Sequence, residues 1–150
     1  EEDHVKNALD DMGELELWRI AVRPGKPLAY GRITDVPFIG VPGNPVSLFV
    51  TFSIFVRPFI LKSMGMTDVT PQEFLMPSGF DWDRPDSRTE YMRARIEQSA
   101  TGNAVVSVYP SRSSGVLSSV TWSDGLVVIN PGQRIKKGQL TRFIPFNSLY

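Results

Sequence analysis

Eight consecutive residues, Gly40-Val41-Pro42-Gly43-Asn44-Pro45-Val46-Ser47, constrain this chain more than any other stretch. They follow a short apolar run, Val36 to Ile39, and open a longer apolar segment that reaches Met64. A strand, a Gly/Pro/Asn turn and a helix start must therefore be stacked closely in sequence. Pro45 suits the first helical position, where its missing N–H costs nothing. Asn44 before it is a favoured N-cap. The two glycines let backbone N–H groups approach a ligand at the positive end of the helix dipole. Two readings stand at this point. The octet is either a phosphate or oxyanion cradle at the carboxyl end of a strand, or a plain strand-to-helix turn in which Gly and Pro only set geometry.

A chain of 150 residues suits one ordinary domain or two small ones. Sixteen basic residues balance sixteen acidic ones, so there is no global electrostatic case for nucleic acid or an anionic membrane as partner, and any anion site must be local. Cysteine is absent, which excludes disulfides, thiolate nucleophiles and Cys-ligated metals. A single histidine, His4, argues against His-based zinc sites and a Ser-His-Asp triad. The amino terminus, Glu1-Glu2-Asp3, is acidic and does not resemble a signal peptide. The apolar stretch from Pro45 to Met64 carries Ser47, Thr51, Ser53, Arg57, Pro58 and Lys62, and reads as a buried helix of an α/β domain rather than a membrane span.

Val5, Ala8, Leu9 and Met12 share one face at helical spacing, which predicts a helix over 4–12 closed by Gly13. An opening inside an acidic helix cap reads as the continuation of preceding structure. Glu14 to Val22 reads as a strand with apolar groups on both faces. A stiff basic loop follows, Arg23-Pro24-Gly25-Lys26-Pro27. Leu28 to Ile33 and Val36 to Val41 are further strands about a turn at Thr34-Asp35. Pro58 is expected to kink the following helix or start a second segment, and Gly65 to end it. Beyond a linker at Thr67 to Pro71 no helical period is sustained. Strand candidates at Arg88 to Glu97, Ala104 to Tyr109, Leu126 to Asn130 and Leu140 to Phe146 alternate with turn signals such as Asp124-Gly125 and Pro131-Gly132. The chain thus divides into an α/β piece at 1–68 and an all-β unit at 72–150 that suggests a small barrel or sandwich.

Arg23 and Lys26, fenced by prolines just after a strand, can hold a phosphate or oxyanion with little ordering cost, or they form a solvated basic loop. Asp3 at a helix start is a cap by the simplest reading. Arg88 and Arg93 read as alternate-face strand arginines and Ser114 as part of an ordinary serine loop. Trp18 and Trp122 read as packing residues.

The octet, followed by an apolar helix carrying Arg57-Pro58, resembles the signature of the molybdopterin molybdenumtransferases, the bacterial MoeA proteins and the equivalent E domain of gephyrin. Arg23-Pro24-Gly25-Lys26-Pro27 is similar to a family motif whose first residue is more usually lysine. Arg88-Thr89-Glu90-Tyr91-Met92-Arg93 resembles the family's barrel strand. Ser113-Ser114-Gly115-Val116-Leu117-Ser118-Ser119 resembles a family loop whose first residue is normally glycine. Glu1-Glu2-Asp3-His4-Val5-Lys6 matches the acidic helix start that follows a Gly-Gly-Val-Ser-Val-Gly run in the family; the run itself is absent here. The similarity covers nearly the whole chain and implies the carboxyl-terminal part of such a protein.

The resemblance implies the carboxyl-terminal part of a three-layer α/β molybdopterin-binding domain followed by a small β-barrel. It implies molybdenum cofactor biosynthesis, in which molybdate enters the dithiolene of adenylylated molybdopterin with loss of AMP and help from Mg2+. Arg23, Lys26, Pro42, Gly43, Asn44, Pro45, Ser47, Arg88, Arg93 and Ser114 would contact substrate. Asp3 would be catalytic and orient molybdate or magnesium. It further implies a cytoplasmic homodimer with its site near the subunit interface, without nucleic-acid or membrane partners. The alternative is a gephyrin-like scaffold that dimerises and binds peptides without catalysis.

Overall fold

The computed structural model describes residues 7, 11, 13–17, 20–25 and 28–149. Asn7 and Asp11 are helical; the rest of the helix expected over 4–12, together with Asp3, Trp18 and Lys26, lies outside the described residues.

Two sheets organise the chain. The first is antiparallel with order β1-β3-β4, formed by Glu14–Leu17, Ala29–Ile33 and Val36–Gly40. Ile33 pairs with Val36 across the Thr34-Asp35 turn, where Thr34 takes a positive φ of 55°. The single strand expected over Glu14 to Val22 is instead two. β1 pairs with β3, whereas β2 (Val22–Arg23) pairs in parallel with β6 (Thr89–Gln98) of the second sheet. The chain changes sheets between them, so one continuous strand cannot serve both.

The helix after the octet starts as expected. Asn44 is the N-cap and its Oδ1 accepts from the N–H groups of Val46 (3.2 Å) and Ser47 (3.3 Å), with Pro45 first in α1 (Pro45–Thr51). A π-helical segment, Phe52–Val56, then leads into α2 (Arg57–Ser63). Pro58 supplies the cause, since its ring cannot give an N–H to the carbonyl four residues back and a wider turn relieves the clash. Gly65 ends the helix at φ 89°, its N–H donating to the Lys62 carbonyl and that of Met66 to the Leu61 carbonyl, both near 3 Å. The helix is less covered than expected. Val46, Ser47, Val50, Thr51, Ser53 and Val56 are buried, but Leu48, Phe52, Ile60 and Met64 are exposed.

The second sheet runs β2-β6-β8-β9-β5, with β7 also on β6. Its further strands are β5 (Phe74–Pro77), β7 (Ala104–Val108), β8 (Gly125–Ile129) and β9 (Leu140–Pro145). A bridge between Ser78 and Val106 links the end of β5 to β7, and the Gly79 N–H donates to the Val106 carbonyl at 2.8 Å. The path β6-β8-β9-β5-β7 therefore comes back on itself. Its interior holds Trp82, Met92, Ala94, Val106, Val127, Ile129, Ile135 and Phe143. β8 is buried along its whole length because its other face is covered too. There Val128, Ile144 and Leu149 receive Ile54, and Phe49 meets Phe146 edge-on at 5.2 Å. The helix is thus seated against the strand-rich region. The mixed α/β portion followed by a strand-rich one agrees with expectation. The short helix α3 (Ser118–Trp122) within the serine-rich stretch does not.

Candidate functional site

The parallel register of β2 on β6 sets Arg23 opposite Glu90, and the guanidinium reaches the Glu90 carboxylate at 4.0 Å. Just before β6, Asp86 folds an Asx turn in which Oδ1 accepts the Arg88 backbone N–H (3.0 Å) and Nε (2.9 Å). Oδ2 accepts from Arg88 Nη2 at 2.9 Å and Arg23 Nη1 at 3.2 Å. Arg112 arrives from the loop after β7. Its Nη2 and Nε donate to Glu90 at 2.7 and 3.1 Å, and its guanidinium lies over the Trp82 ring, 5.0 Å from the centroid. Three guanidiniums face two carboxylates, which leaves one net positive charge.

These arginines line an open cleft of about 430 Å³ together with Pro24, Gly25, Ser47, Ser113 and Ser114. The loop at Gly25 lies directly on α1. Gly25 has φ 113°, and a Cβ there would clash with Thr51 Cγ2. That contact brings Ser47, in the first turn of α1, to the same cleft as Arg23.

Charge at the cleft is firmly set. The side-chain hydrogen bond from Arg88 holds the Asp86 carboxyl well below the usual carboxylate range, with a smaller push from Arg23 against the opposing cost of burial. The same contact raises the Arg88 guanidinium. Both remain ionised, so the arginines stay oriented, and each keeps at least one guanidinium nitrogen outside these hydrogen bonds among the described residues. Such a surface suits a small oxyanion.

Of the residues expected from sequence, the cleft brings together Arg23, Ser47, Arg88 and Ser114. Arg93 does not line it. Its side chain is fully buried beneath the serine loop, where Nε donates to Ser119 Oγ and Nη2 to the carbonyls of Ser111 and Ser113. Pro42 is buried, Gly43 and Pro45 are exposed, and Asn44 spends its side chain on the helix cap. The N–H groups of Val46 and Ser47 therefore already have an acceptor. Asp3 and Lys26 lie outside the described residues. Among the described residues no group of three or more His, Cys, Asp or Glu side chains converges as a metal site.

Sequence reasoning missed Arg112, Asp86 and Glu90. Arg112 stands one residue before the serine motif, a position where a cation could have been weighed. The acids carry no signal alone, because Arg112 lies 22 residues from Glu90 and Arg23 lies 63 residues from Asp86, although Asp86 also has Arg88 two residues away.

Two family descriptions match. "Probable molybdopterin binding domain" covers residues 1–62, and "MoeA C-terminal region (domain IV)" covers residues 76–146. The chain is 30% identical to the Haemophilus influenzae molybdopterin molybdenumtransferase over 99% of its own length and 37% of that protein. It is 33% identical to the Drosophila melanogaster molybdenum cofactor synthesis protein cinnamon over 85% of this chain and 21% of that one. A solved molybdopterin biosynthesis moeA protein from Pyrococcus horikoshii shares the fold at TM-score 0.74 and 21% identity, across 97% of this chain and 39% of that chain. The chain thus spans well under half the length of these relatives.

Proposed function

This chain belongs to the MoeA family, and on that premise we propose that the cleft between Arg23, Arg88 and Arg112 is the oxyanion subsite of a molybdopterin molybdenumtransferase. The parent protein would insert molybdate into adenylylated molybdopterin with release of AMP. The observation that carries the reading is the convergence of three oriented guanidiniums with Ser47 and Ser114 on one opening. The transferase names of the relatives favour it over a non-catalytic scaffold.

Such a reaction needs no covalent nucleophile from the protein. It needs two anions brought together against their mutual repulsion, and a leaving phosphate stabilised as charge develops on it. Arg88 and Arg112 would position one oxyanion. Arg23, with Lys26 three residues further on, would hold the phosphate side of the pterin substrate. Ser47 and Ser114 would donate hydroxyl hydrogen bonds that fix orientation. The two acids at the cleft, Asp86 and Glu90, are both engaged by arginine, so they do not fit a magnesium ion. Asp3 remains the proposed contact to magnesium or molybdate.

The two matched regions support a division into units at 1–68 and 72–150. The same reading carries a cytoplasmic homodimer with the site near the subunit interface. The test is AMP release by the parent protein from adenylylated molybdopterin and molybdate. Arg23→Ala with Lys26→Ala should weaken anionic substrate binding by about 1.5–3 kcal/mol per charged hydrogen bond lost. Unchanged affinity would mean that the basic loop is only solvated.

A further inference from the structure

Arg93 is an unusual arginine. Its side chain has no exposure, yet the acids of this region are taken by Arg23, Arg88 and Arg112, and among the described residues Arg93 forms no ion pair. Its hydrogen-bond partners are neutral: Ser119 Oγ at 3.0 Å and the carbonyls of Ser111 and Ser113, both at 2.9 Å. Its remaining nitrogen, Nη1, is buried without a hydrogen-bond partner among the described residues. A buried guanidinium without a counter-charge is costly, so its place needs a reason.

The reason lies in the loop above it. A trans peptide points its N–H opposite to its C=O, and the one cis bond among the described residues is Arg23-Pro24. Drawing the carbonyls of Ser111 and Ser113 inward therefore turns the N–H groups of Arg112 and Ser114 away from Arg93. Neither N–H finds a protein acceptor among the described residues, and both belong to residues that line the arginine cleft. The loop is further held by its own serines. The Ser113 N–H donates to Ser111 Oγ at 3.1 Å and the Gly115 N–H to Ser113 Oγ at 3.2 Å. Ser119 passes the hold onward, donating to the Val116 carbonyl at 2.6 Å.

We propose that Arg93 is a positioning residue that aims the backbone N–H groups of Arg112 and Ser114 at a tetrahedral oxyanion in the cleft, with its own uncompensated charge behind them. Two N–H groups spaced two residues apart form a concave donor pair, which fixes an oxyanion more rigidly than mobile side chains do. The inference rests on the cleft being an oxyanion subsite. It goes beyond that reading in assigning the donors and what holds them.

Amide resonances of the 15N-labelled chain, followed during separate titrations with molybdate and inorganic phosphate, test this. The Arg112 and Ser114 amides should move and saturate with at least one of the two. Which one moves them decides whether the subsite takes the metal oxyanion or the substrate phosphate. Arg93→Lys keeps the charge but cannot reach both carbonyls and Ser119 together. With an unfolding curve close to wild type, it should bind about tenfold more weakly and show diminished shifts at those two amides. Ser119→Ala, which removes the Nε acceptor together with the hydroxyl's bond to the Val116 carbonyl, should weaken binding in the same direction and serves if the lysine variant does not fold. Binding that leaves the Arg112 and Ser114 amides unmoved would overturn the inference and spare the cleft. Binding by folded Arg93→Lys equal to wild type would do the same. No binding of either oxyanion by the wild-type chain would overturn both.

Discussion

Arg112 grips Glu90 through two hydrogen bonds, 2.7 and 3.1 Å long, although the Glu90 side chain is only 1% exposed. A carboxylate this deep is tolerated because its charge is matched on the spot. The pair ties the loop after β7 to β6, so the cleft wall and the strand it stands on are one electrostatic unit. Removing one partner should cost more than removing both.

Arg112→Met is therefore expected to destabilise the chain by about 3 kcal/mol, read from urea unfolding. Adding Glu90→Gln to that variant should recover much of the loss. A single variant within about 0.5 kcal/mol of wild type would show that Glu90 needs no counter-charge.

Acid should loosen the same cluster through Asp86. Its folded-state carboxyl titrates below the ordinary value of 3.8, chiefly through the Arg88 hydrogen bond. The stabilisation is therefore complete above pH 3.8 and is lost progressively as pH falls beneath it. Asp86→Asn should lower stability at neutral pH and flatten the decline on the acid side. Parallel pH curves for variant and wild type would contradict this.

Asn44 has a local task that can be measured apart from any ligand. Asn44→Ala, which strands the Val46 and Ser47 N–H groups, should cost about 1 kcal/mol, whereas Asn44→Asp should keep the cap. Equal unfolding midpoints for all three proteins would show the cap to be immaterial.

Gly25 tests how tightly the basic loop is pressed onto α1. Gly25→Ala meets both a positive φ and Thr51 Cγ2, and should destabilise by about 2–3 kcal/mol. Thr51→Ser removes that methyl while keeping the hydroxyl that donates to the Ser47 carbonyl, so the double variant should regain part of the loss. Neutral behaviour of Gly25→Ala would mean that the loop stands off the helix.

What could be read from sequence was local. Asn44-Pro45 announces the helix start because cap and first turn lie within three residues of each other, and Gly65 announces its end for the same reason. The later strands were legible from alternation between glycine turns. What escaped depends on partners far along the chain. β5 is a four-residue run ending in Pro77, stabilised by pairing with β9. α3 is built from Ser118, Ser119, Val120, Thr121 and Trp122, which carry little helix propensity. At the site, Arg23 and Ser47 are legible from a proline-fenced basic loop and a helix-opening turn, whereas Arg88 and Ser114 rest on the family resemblance alone. Arg112 and Glu90 emerge only when the loop after β7 folds onto β6, and Asp86 joins Arg23 only when β2 docks there. Arg93, which the resemblance places at the cleft, lies instead beneath the serine loop, since strand alternation does not say which face a loop will cover.

The central claim is that the cleft binds a tetrahedral oxyanion through its arginines. Calorimetric titration of molybdate into the wild-type chain and into Arg88→Ala tests it most directly. Saturable binding that weakens by tenfold or more in the variant, about 1.4 kcal/mol, is the expected result. Equal affinity in both proteins, or no binding to the wild type, would contradict it.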